Sequence, residues 1–295
     1  MTATVVGAAL ALAGCASGDP LEPGTDPDAG GSSETIVIGS QAYYSNEIIA
    51  EIYAQALEQA GFEVERSFNI GQRETYIPAI ESGEVDLFPE YTGNLLQYYV
   101  PDTAAKTADD VYAELAVSLP DGLQVLAQSP ATDENSYNVT AAFAEENGLK
   151  TIADLATIEG GVVVGGRPEL EERPFGPQGL LEFYGVTATV EPTAETTVES
   201  LLEGIVDVGN VYSADPRIEQ FDLVTLEDPK GLFLASNVVP LAADDLPMEV
   251  IGIIDAISAA LTPEGLIGLN VQSTVDQLGA PEIAEGWLEE NGFLG

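Results

Sequence analysis

The sequence predicts an α/β protein built from two related lobes. Two observations support this prediction: short runs of β-branched residues alternate with helical patterns from residue 34 onward, and the same order of segments returns about 125 residues later. Strand, helix and strand in succession indicate parallel βαβ units. Because 45% of the 295 residues are hydrophobic and only 20% are charged, the chain can bury a core, so we expect a folded protein rather than a disordered one.

The first unit follows from hydrophobic periodicity. Residues 35–38 are typical of a buried strand, which ends at Gly39. Residues 46–60 place apolar side chains at helical spacing, and Gly61 ends this helix. Residues 62–66 then alternate apolar and charged side chains, which predicts a half-buried strand.

The second unit repeats this order with a strand, a helix and an extended segment at residues 162–164, 179–184 and 186–190. Gly165 lies 126 residues after Gly39, and Gly185 lies 124 residues after Gly61. This near-constant offset predicts two lobes with a common fold. Beyond residue 241 the pattern is helical, with a periodic apolar face that fits packing rather than ligand contact.

A Gly-x-Val-Asp motif gives the sharper echo. It occurs at residues 83–86 and 204–207, and in both places a tyrosine follows after four residues, at Tyr91 and Tyr212. Open α/β sheets bind ligands beyond the carboxyl ends of their strands, so each lobe is expected to present one tyrosine there. The repeat also fits two βαβ units that share nothing but their fold, although strand pairing does not need the tyrosine.

Charge and composition exclude several functions. The chain has 50 acidic against 8 basic residues, a formal net charge of −42, no histidine and one cysteine. The chain has too few basic residues to form a nucleic-acid-binding surface. Without histidine it cannot form a Ser-His or Cys-His catalytic pair or the usual zinc sites. We interpret the acidity as adaptation to salty surroundings that keeps the chain soluble and monomeric, with cationic partners as the alternative. No cofactor and no metal site are predicted.

The amino terminus predicts export and a lipid anchor. Residues 1–14 read as a signal peptide, because the apolar run at 5–13 is too short to span a bilayer. The run ends in Leu-Ala-Gly-Cys, which resembles the lipobox of bacterial lipoproteins and makes Cys15 the lipidated residue. Residues 15–33 are rich in Gly, Pro, Ser and Asp, so we expect a flexible tether. The folded part would then lie outside the cytoplasm, anchored to the outer face of the cytoplasmic membrane. An ordinary secretory signal is the alternative.

Several segments together resemble the substrate-binding proteins of osmoprotectant ABC importers, which capture glycine betaine, choline or carnitine. They are residues 39–41, 51–57, 81–93, 135–137, 173–174 and 211–216. The Pro-Glu-Tyr-Thr-Gly element at residues 89–93 is the most specific of them. The resemblance runs from residue 34 to the end and implies the type II periplasmic-binding-protein fold, in which two α/β lobes close over a ligand cleft. It also implies a binding protein and not an enzyme.

The resemblance implies a cage of tyrosines around a quaternary ammonium. Such a head group is charged but has no N–H, and the faces of aromatic rings supply both electrostatic attraction and dispersion. By motif position, Tyr91, Tyr137 and Tyr212 match three of the family's four cage tyrosines. The fourth position holds Ser236, which cannot form a ring wall.

Two tyrosines near the first strand are candidates for the missing wall. Tyr43 and Tyr44 lie in the predicted loop between the first strand and its helix. Either of them compensates for the lost ring, or the ligand differs from glycine betaine.

The resemblance also assigns residues to the acidic end of a betaine. Arg173 matches the family's arginine, and a guanidinium suits a carboxylate because it can bind both oxygens. Gln41 matches a Lys or Gln position, and Asn94 stands where the family commonly has a threonine. The alternative for Arg173 is an ion pair with Glu171 or Glu172.

The resulting interpretation is an extracytoplasmic receptor that delivers a quaternary-amine solute to a membrane ABC permease. Residues 34–134 and 240–295 would form lobe 1, and residues 135–239 would form lobe 2. Two alternatives stay open. One is the same fold binding another small solute, such as an amino acid or a polyamine, and the other is a sensory or scaffold lipoprotein that binds a partner protein.

Overall fold

The computed structural model describes residues 35–294, so the predicted signal peptide, Cys15 and the tether lie outside the described residues. Strands and helices alternate along this part of the chain. The strands are β1 Ile36–Gly39, β2 Val64–Ser67, β3 Leu87–Tyr91, β4 Leu123–Val125, β5 Asn135–Thr140, β6 Val162–Gly166, β7 Ala188–Pro192, β8 Val208–Tyr212, β9 Leu223–Thr225 and β10 Val238–Ala243.

The helices fill the connections between the strands. They are α1 Tyr44–Gln59, α2 Arg73–Glu81, α3 Thr92–Tyr99, α4 Ala108–Ser118, α5 Ala141–Asn147, α6 Pro177–Gly179, α7 Thr197–Leu202, α8 Arg217–Gln220, α9 Met248–Ala260, α10 Pro263–Thr274 and α11 Ala280–Glu290. Short 3₁₀ helices lie at Ile152–Thr157, Pro168–Glu172 and Ala194–Thr196. The predicted helix at 179–184 is instead a π-helical turn, Leu180–Tyr184, in which the Gly185 N–H reaches two carbonyls, Leu180 O and Leu181 O.

The two sheets have the same topology. The first has the strand order β2-β1-β3-β10-β4 and the second the order β7-β6-β8-β5-β9. In each sheet the first three strands are parallel, and the last two join by antiparallel pairing. The strands β10 and β5 occupy equivalent places. The predicted α/β fold with two related lobes is therefore confirmed.

The Gly-x-Val-Asp motif serves both lobes in the same way. Gly83 and Gly204 have φ of +74° and +70°, so each ends a helix in the left-handed region that favours glycine. The motif's valine is buried in both cases. The Asp207 carboxylate accepts a hydrogen bond from Val163 N at 2.8 Å, and Asp207 N donates to Val163 O at 2.9 Å, so the motif fastens β8 to β6. Asp86 makes the equivalent bonds with Val37.

Replacing Asp207 by Ala is expected to lower the free energy of unfolding by about 1–2 kcal/mol, because Val163 N loses a charged acceptor. Asp207→Asn keeps an acceptor oxygen and should cost less than half of that amount. Urea unfolding of the two variants and the wild type measures the difference. Equal losses for Ala and Asn would contradict this role.

The chain crosses between the sheets twice, and the crossings are neighbours. Thr132 and Asn237 form an antiparallel bridge, and Asp133 N donates to Ser236 O at 3.0 Å. The strand β10 enters the first sheet at Val238, which pairs with Tyr91. We therefore propose the predicted division into lobes with one adjustment. Residues 238 and 239, which were expected in lobe 2, belong with lobe 1 because they pair with β3.

The carboxyl-terminal helices return to the first sheet. Buried residues of α9, α10 and α11, among them Ile254, Leu269 and Trp287, share one core cluster with the apolar face of α1. Across residues 35–294 no single helix is long and apolar enough to cross a bilayer. The pair α9 and α10, bent by 89° at the break between them, meets that criterion by length and composition only.

Candidate functional site

A cavity lies between the two sheets, at the carboxyl ends of their parallel strands. Tyr91 and Tyr212 are the last residues of β3 and β8, and Gln41 and Arg167 follow β1 and β6 closely. Six residues singled out from the sequence line it: Gln41, Tyr43, Tyr91, Asn94, Arg173 and Tyr212. Eleven further residues complete the wall: Gln72, Arg73, Gln97, Tyr98, Asn135, Arg167, Glu169, Leu170, Pro174, Phe175 and Asn210.

Three tyrosines singled out from the sequence, Tyr43, Tyr91 and Tyr212, belong to the lining of this cavity. The ring centroids of Tyr43 and Tyr212 are 4.9 Å apart with an angle of 40° between the planes, so a residue of the first lobe contacts one of the second. Tyr91 is 4% exposed. Among the described residues its hydroxyl has no partner with hydrogen-bond geometry, and the same holds for Gln41 Nε2 and Glu169 Oε2. Buried polar atoms are usually paired, so these three atoms are available to hydrogen-bond a molecule in the cavity.

Three other predicted residues lie outside this lining. Tyr137 is fully buried, its hydroxyl donates to Phe175 O, and its ring packs on Phe233. Along β5 it lies two residues further from the cavity than Asn135, and Asn135 pairs directly with Tyr212. Asn135, and not Tyr137, therefore reaches the cavity from the Asn-Ser-Tyr segment.

Tyr44 and Ser236 do not line the cavity, each for a different reason. Tyr44 packs edge-on against Tyr43, with ring centroids 4.9 Å apart, and lines a smaller neighbouring pocket with Asp215 and Arg217. Ser236 is 1% exposed, and its hydroxyl accepts a hydrogen bond from Gly93 N at 3.2 Å near the start of α3. Of the two candidates for a replacement ring, Tyr43 is the one that lines the cavity.

A buried carboxylate stands behind the rings. Asp133 accepts hydrogen bonds from Tyr43 Oη at 3.0 Å and from Ala214 N at 2.9 Å, so it ties both lobes together near the cavity. Burial raises the pKa of Asp133 to about 7, against the lowering effect of these two bonds, and the charges of Asp215 and Glu134 raise it further. Burial likewise raises the pKa of Tyr91, Tyr43 and Tyr212.

This raised pKa predicts a pH-dependent stability. The unfolded carboxyl titrates near pH 4 and the folded one near pH 7, so its protonated form favours folding and that contribution is lost as the pH rises between these values. The variant Asp133→Asn cannot ionise at this position and does not lose this contribution. The unfolding free energy of the variant minus that of the wild type should therefore increase by up to about 4 kcal/mol between pH 4 and pH 8. Urea unfolding at fixed salt measures this gain.

The control for this prediction is Asp245→Asn, which removes one carboxylate from the exposed surface. It separates the burial of Asp133 from the general effect of lowering the net charge. A difference between Asp133→Asn and the wild type that stays constant with pH would contradict the prediction.

Arginines gather at the cavity although the chain has few of them. Of its five arginines, Arg73, Arg167 and Arg173 line this wall. Their three charges lower the pKa of Tyr212, opposing the larger effect of burial, so all three guanidiniums lie near that hydroxyl. No sequence motif marks Arg73 or Arg167; the available signal was the position of each residue after a strand that points to this edge.

Two of the three arginines bridge the cleft. Arg173 of the second lobe donates to both carboxylate oxygens of Glu74 in α2, at 2.6 and 3.2 Å. The alternative considered for Arg173, an ion pair, is thus formed with Glu74 and not with Glu171 or Glu172. Arg167 donates to Ala42 O at 2.9 Å and pairs with Glu195. Among residues 35–294 no group of three or more Cys, Asp or Glu side chains is arranged to hold a metal ion.

Comparison with known proteins gives a consistent result. A family model described as the substrate-binding domain of ABC-type glycine betaine transport systems matches residues 34–290. The glycine betaine-binding protein YehZ of Escherichia coli is 24% identical over 287 residues, covering 89% of this chain and 92% of that protein. A glycine-betaine-binding protein of Pseudomonas aeruginosa is 26% identical over 290 residues, covering 89% of each.

Solved structures show the same fold. A crystal structure described as a glycine betaine/carnitine/choline ABC transporter aligns with a TM-score of 0.72 at 19% identity. The alignment covers 88% of this chain and all of that one. At this level of identity the likeness concerns the fold.

Proposed function

The chain belongs to the family of substrate-binding domains of ABC-type glycine betaine transport systems. From this premise we propose that it captures a quaternary-ammonium solute of the betaine class between its lobes and delivers it to a membrane permease. Membership of this family agrees with the expectation of a binding protein and not an enzyme. The observation that carries the proposal is one cavity whose lining combines four tyrosines, among them Tyr43, Tyr91 and Tyr212, with three arginines.

The rings suit the ammonium end of such a solute. Tyr43, Tyr91 and Tyr212 offer faces that attract a cation by their quadrupole and its methyl groups by dispersion, each contact stabilising by about 0.5–2 kcal/mol. Tyr43 takes the part of the ring missing at Ser236. Asp133 accepts a hydrogen bond from Tyr43 Oη and is not part of the cavity lining.

The arginines of the same lining suit a carboxylate. Three guanidiniums supply charge and N–H donors, and the unpaired Nε2 of Gln41 is a further donor. Amide side chains surround them, including Asn94 and Asn135, which bond to each other at 3.0 Å. A zwitterion with its charges a few bonds apart fits this polarity.

Binding and closure are linked in the proposed cycle. The wall residues come from both lobes, with Tyr91 on the first and Tyr212 on the second, so a ligand that contacts both favours the closed arrangement. The permease would recognise that closed form. We further propose that the receptor is monomeric and extracytoplasmic, held to the membrane through a lipid on Cys15 and the tether of residues 15–33.

Titration calorimetry in high salt tests the proposal. The ligands are glycine betaine, carnitine, proline betaine and choline. We expect saturable binding of at least one carboxylate-bearing compound. The control ligand is 3,3-dimethylbutanoate, which has the shape of glycine betaine with carbon in place of the charged nitrogen, and it should bind at least about tenfold more weakly. No binding of any of the four compounds would contradict the proposal.

A further inference from the structure

Arg73 is the most rigidly held arginine of the cavity. It is 8% exposed, and it donates from Nε and Nη2 to the two carboxylate oxygens of Glu90 at 2.8 and 2.9 Å. Glu90 is fully buried and also accepts hydrogen bonds from Tyr76 Oη at 2.6 Å and from Tyr91 N at 2.7 Å. With four donors on one carboxylate, the orientation of the guanidinium is fixed before any ligand arrives.

This arrangement leaves one edge of the guanidinium unused. Within residues 35–294, Arg73 Nη1 donates to no side chain or carbonyl, although Arg73 itself lines the cavity. Arg173 differs, because both of its terminal nitrogens are engaged by Glu74, a side chain that is 53% exposed and solvated. Arg167 pairs with Glu195, which is 58% exposed.

The ion pair of Arg73 and Glu90 has no net charge, but its dipole has a fixed direction relative to the cavity. Its positive end lies in the cavity wall, while its carboxylate is turned to Tyr76 and the backbone of β3. A ligand carboxylate gains a charged donor that is already desolvated and aligned. A cation that carries no carboxylate meets the same positive charge and gains nothing from it.

We infer that Arg73, held by Glu90 and Tyr76, is the residue that binds the ligand's carboxylate, and that it makes the cavity selective for zwitterionic betaines over choline. This inference rests on the proposed function and deepens it by naming the selectivity and its origin. The sequence motifs direct attention to Arg173 for this role. The geometry instead gives Arg173 a cleft-bridging ion pair with Glu74.

The test compares glycine betaine with choline, which share the trimethylammonium head and differ at the other end. The wild type should bind glycine betaine at least about tenfold more tightly than choline. The double variant Arg73→Gln with Glu90→Gln removes the charge pair without leaving a buried carboxylate alone. It should lose at least about tenfold in affinity for glycine betaine, change by less than about threefold for choline, and so lose most of the preference.

Two further variants keep the result interpretable. Arg73→Lys retains a charge for Glu90 and the folded state but loses the planar fork, so it should weaken glycine betaine binding while its thermal midpoint stays near that of the wild type. Arg66→Gln is the matched control. Arg66 also binds both oxygens of a buried carboxylate, Glu51, in the same lobe, but it lies outside the cavity lining, so both affinities should stay unchanged.

The possible outcomes distinguish failure of the proposed function from failure of the inference on Arg73. A wild type that binds neither ligand nor their relatives contradicts the proposed function. A wild type that binds both equally, or prefers choline, contradicts the inference alone. An unchanged preference in the double variant and in Arg73→Lys also overturns it, and would leave Arg73 as a counter-ion for Glu90.

Discussion

Replacing Tyr212 by Leu is expected to lower the affinity for glycine betaine by at least about tenfold, whereas Tyr212→Phe should stay within about threefold of the wild type. Leu preserves apolar bulk but removes the ring face that lies 4.9 Å from Tyr43 and lines the cavity. A desolvated cation–π contact and the lost ring packing together account for about 1.4 kcal/mol or more, which corresponds to tenfold. Calorimetry under the same salt conditions measures both variants.

The neutral isostere separates charge from shape in this comparison. Because 3,3-dimethylbutanoate has no ammonium, Tyr212→Leu should change its affinity much less than that of glycine betaine. The difference between the two losses is the cation-dependent part of the contact. Wild-type affinity for glycine betaine in Tyr212→Leu would remove this residue from the proposed site.

Gly93→Ala is expected to destabilise the protein, with a loss of about 1–3 kcal/mol in unfolding free energy. A Cβ at this position would lie 2.7 Å from Ala235 O and 2.9 Å from Leu234 Cβ. These atoms belong to the second crossing between the lobes, so relief of the clash must move backbone that leads into β10. Urea unfolding measures the loss.

The matched control for Gly93 has the opposite expected sign. Gly286 lies in the exposed face of α11, and a Cβ there meets nothing within 4 Å. Gly286→Ala should therefore stabilise the protein by about 0.5–1 kcal/mol, because Ala costs less backbone entropy in a helix. Destabilisation by both alanines, or by neither, would contradict the steric explanation for Gly93.

Sequence patterns could predict those parts of the fold in which a residue type has a single structural role. The glycines that end α2 and α7, the buried valines and the aspartates that fasten neighbouring strands recur because each lobe needs them. Tyr91 and Tyr212 followed from the same reasoning, since both end a strand at the edge where open α/β sheets bind ligands.

The rest of the candidate site depends on distances that a sequence does not contain. In the Asn-Ser-Tyr segment the aromatic residue attracted the prediction, but strand direction brings Asn135 to the cavity and leaves Tyr137 behind the wall. Arg73 lies in a helix that no motif marks, and the role that we propose for it rests on its pairing with the buried carboxylate of Glu90. Tertiary pairing decides both cases.

The two cleft-bridging arginines, Arg167 and Arg173, affect how readily the lobes close when no solute is bound. The contacts from Arg173 to Glu74 and from Arg167 to Ala42 join the two lobes through the protein's own groups, so in the proposed cycle they favour the closed arrangement independently of a solute. In that proposed cycle, contacts strong enough to hold the lobes closed would present the closed form to the permease without a solute. The exposed carboxylate of Glu74 keeps its ion pair weak, and concentrated external salt weakens it further. In the salty surroundings that the acidic composition predicts, this screening would reduce closure of the receptor without a solute.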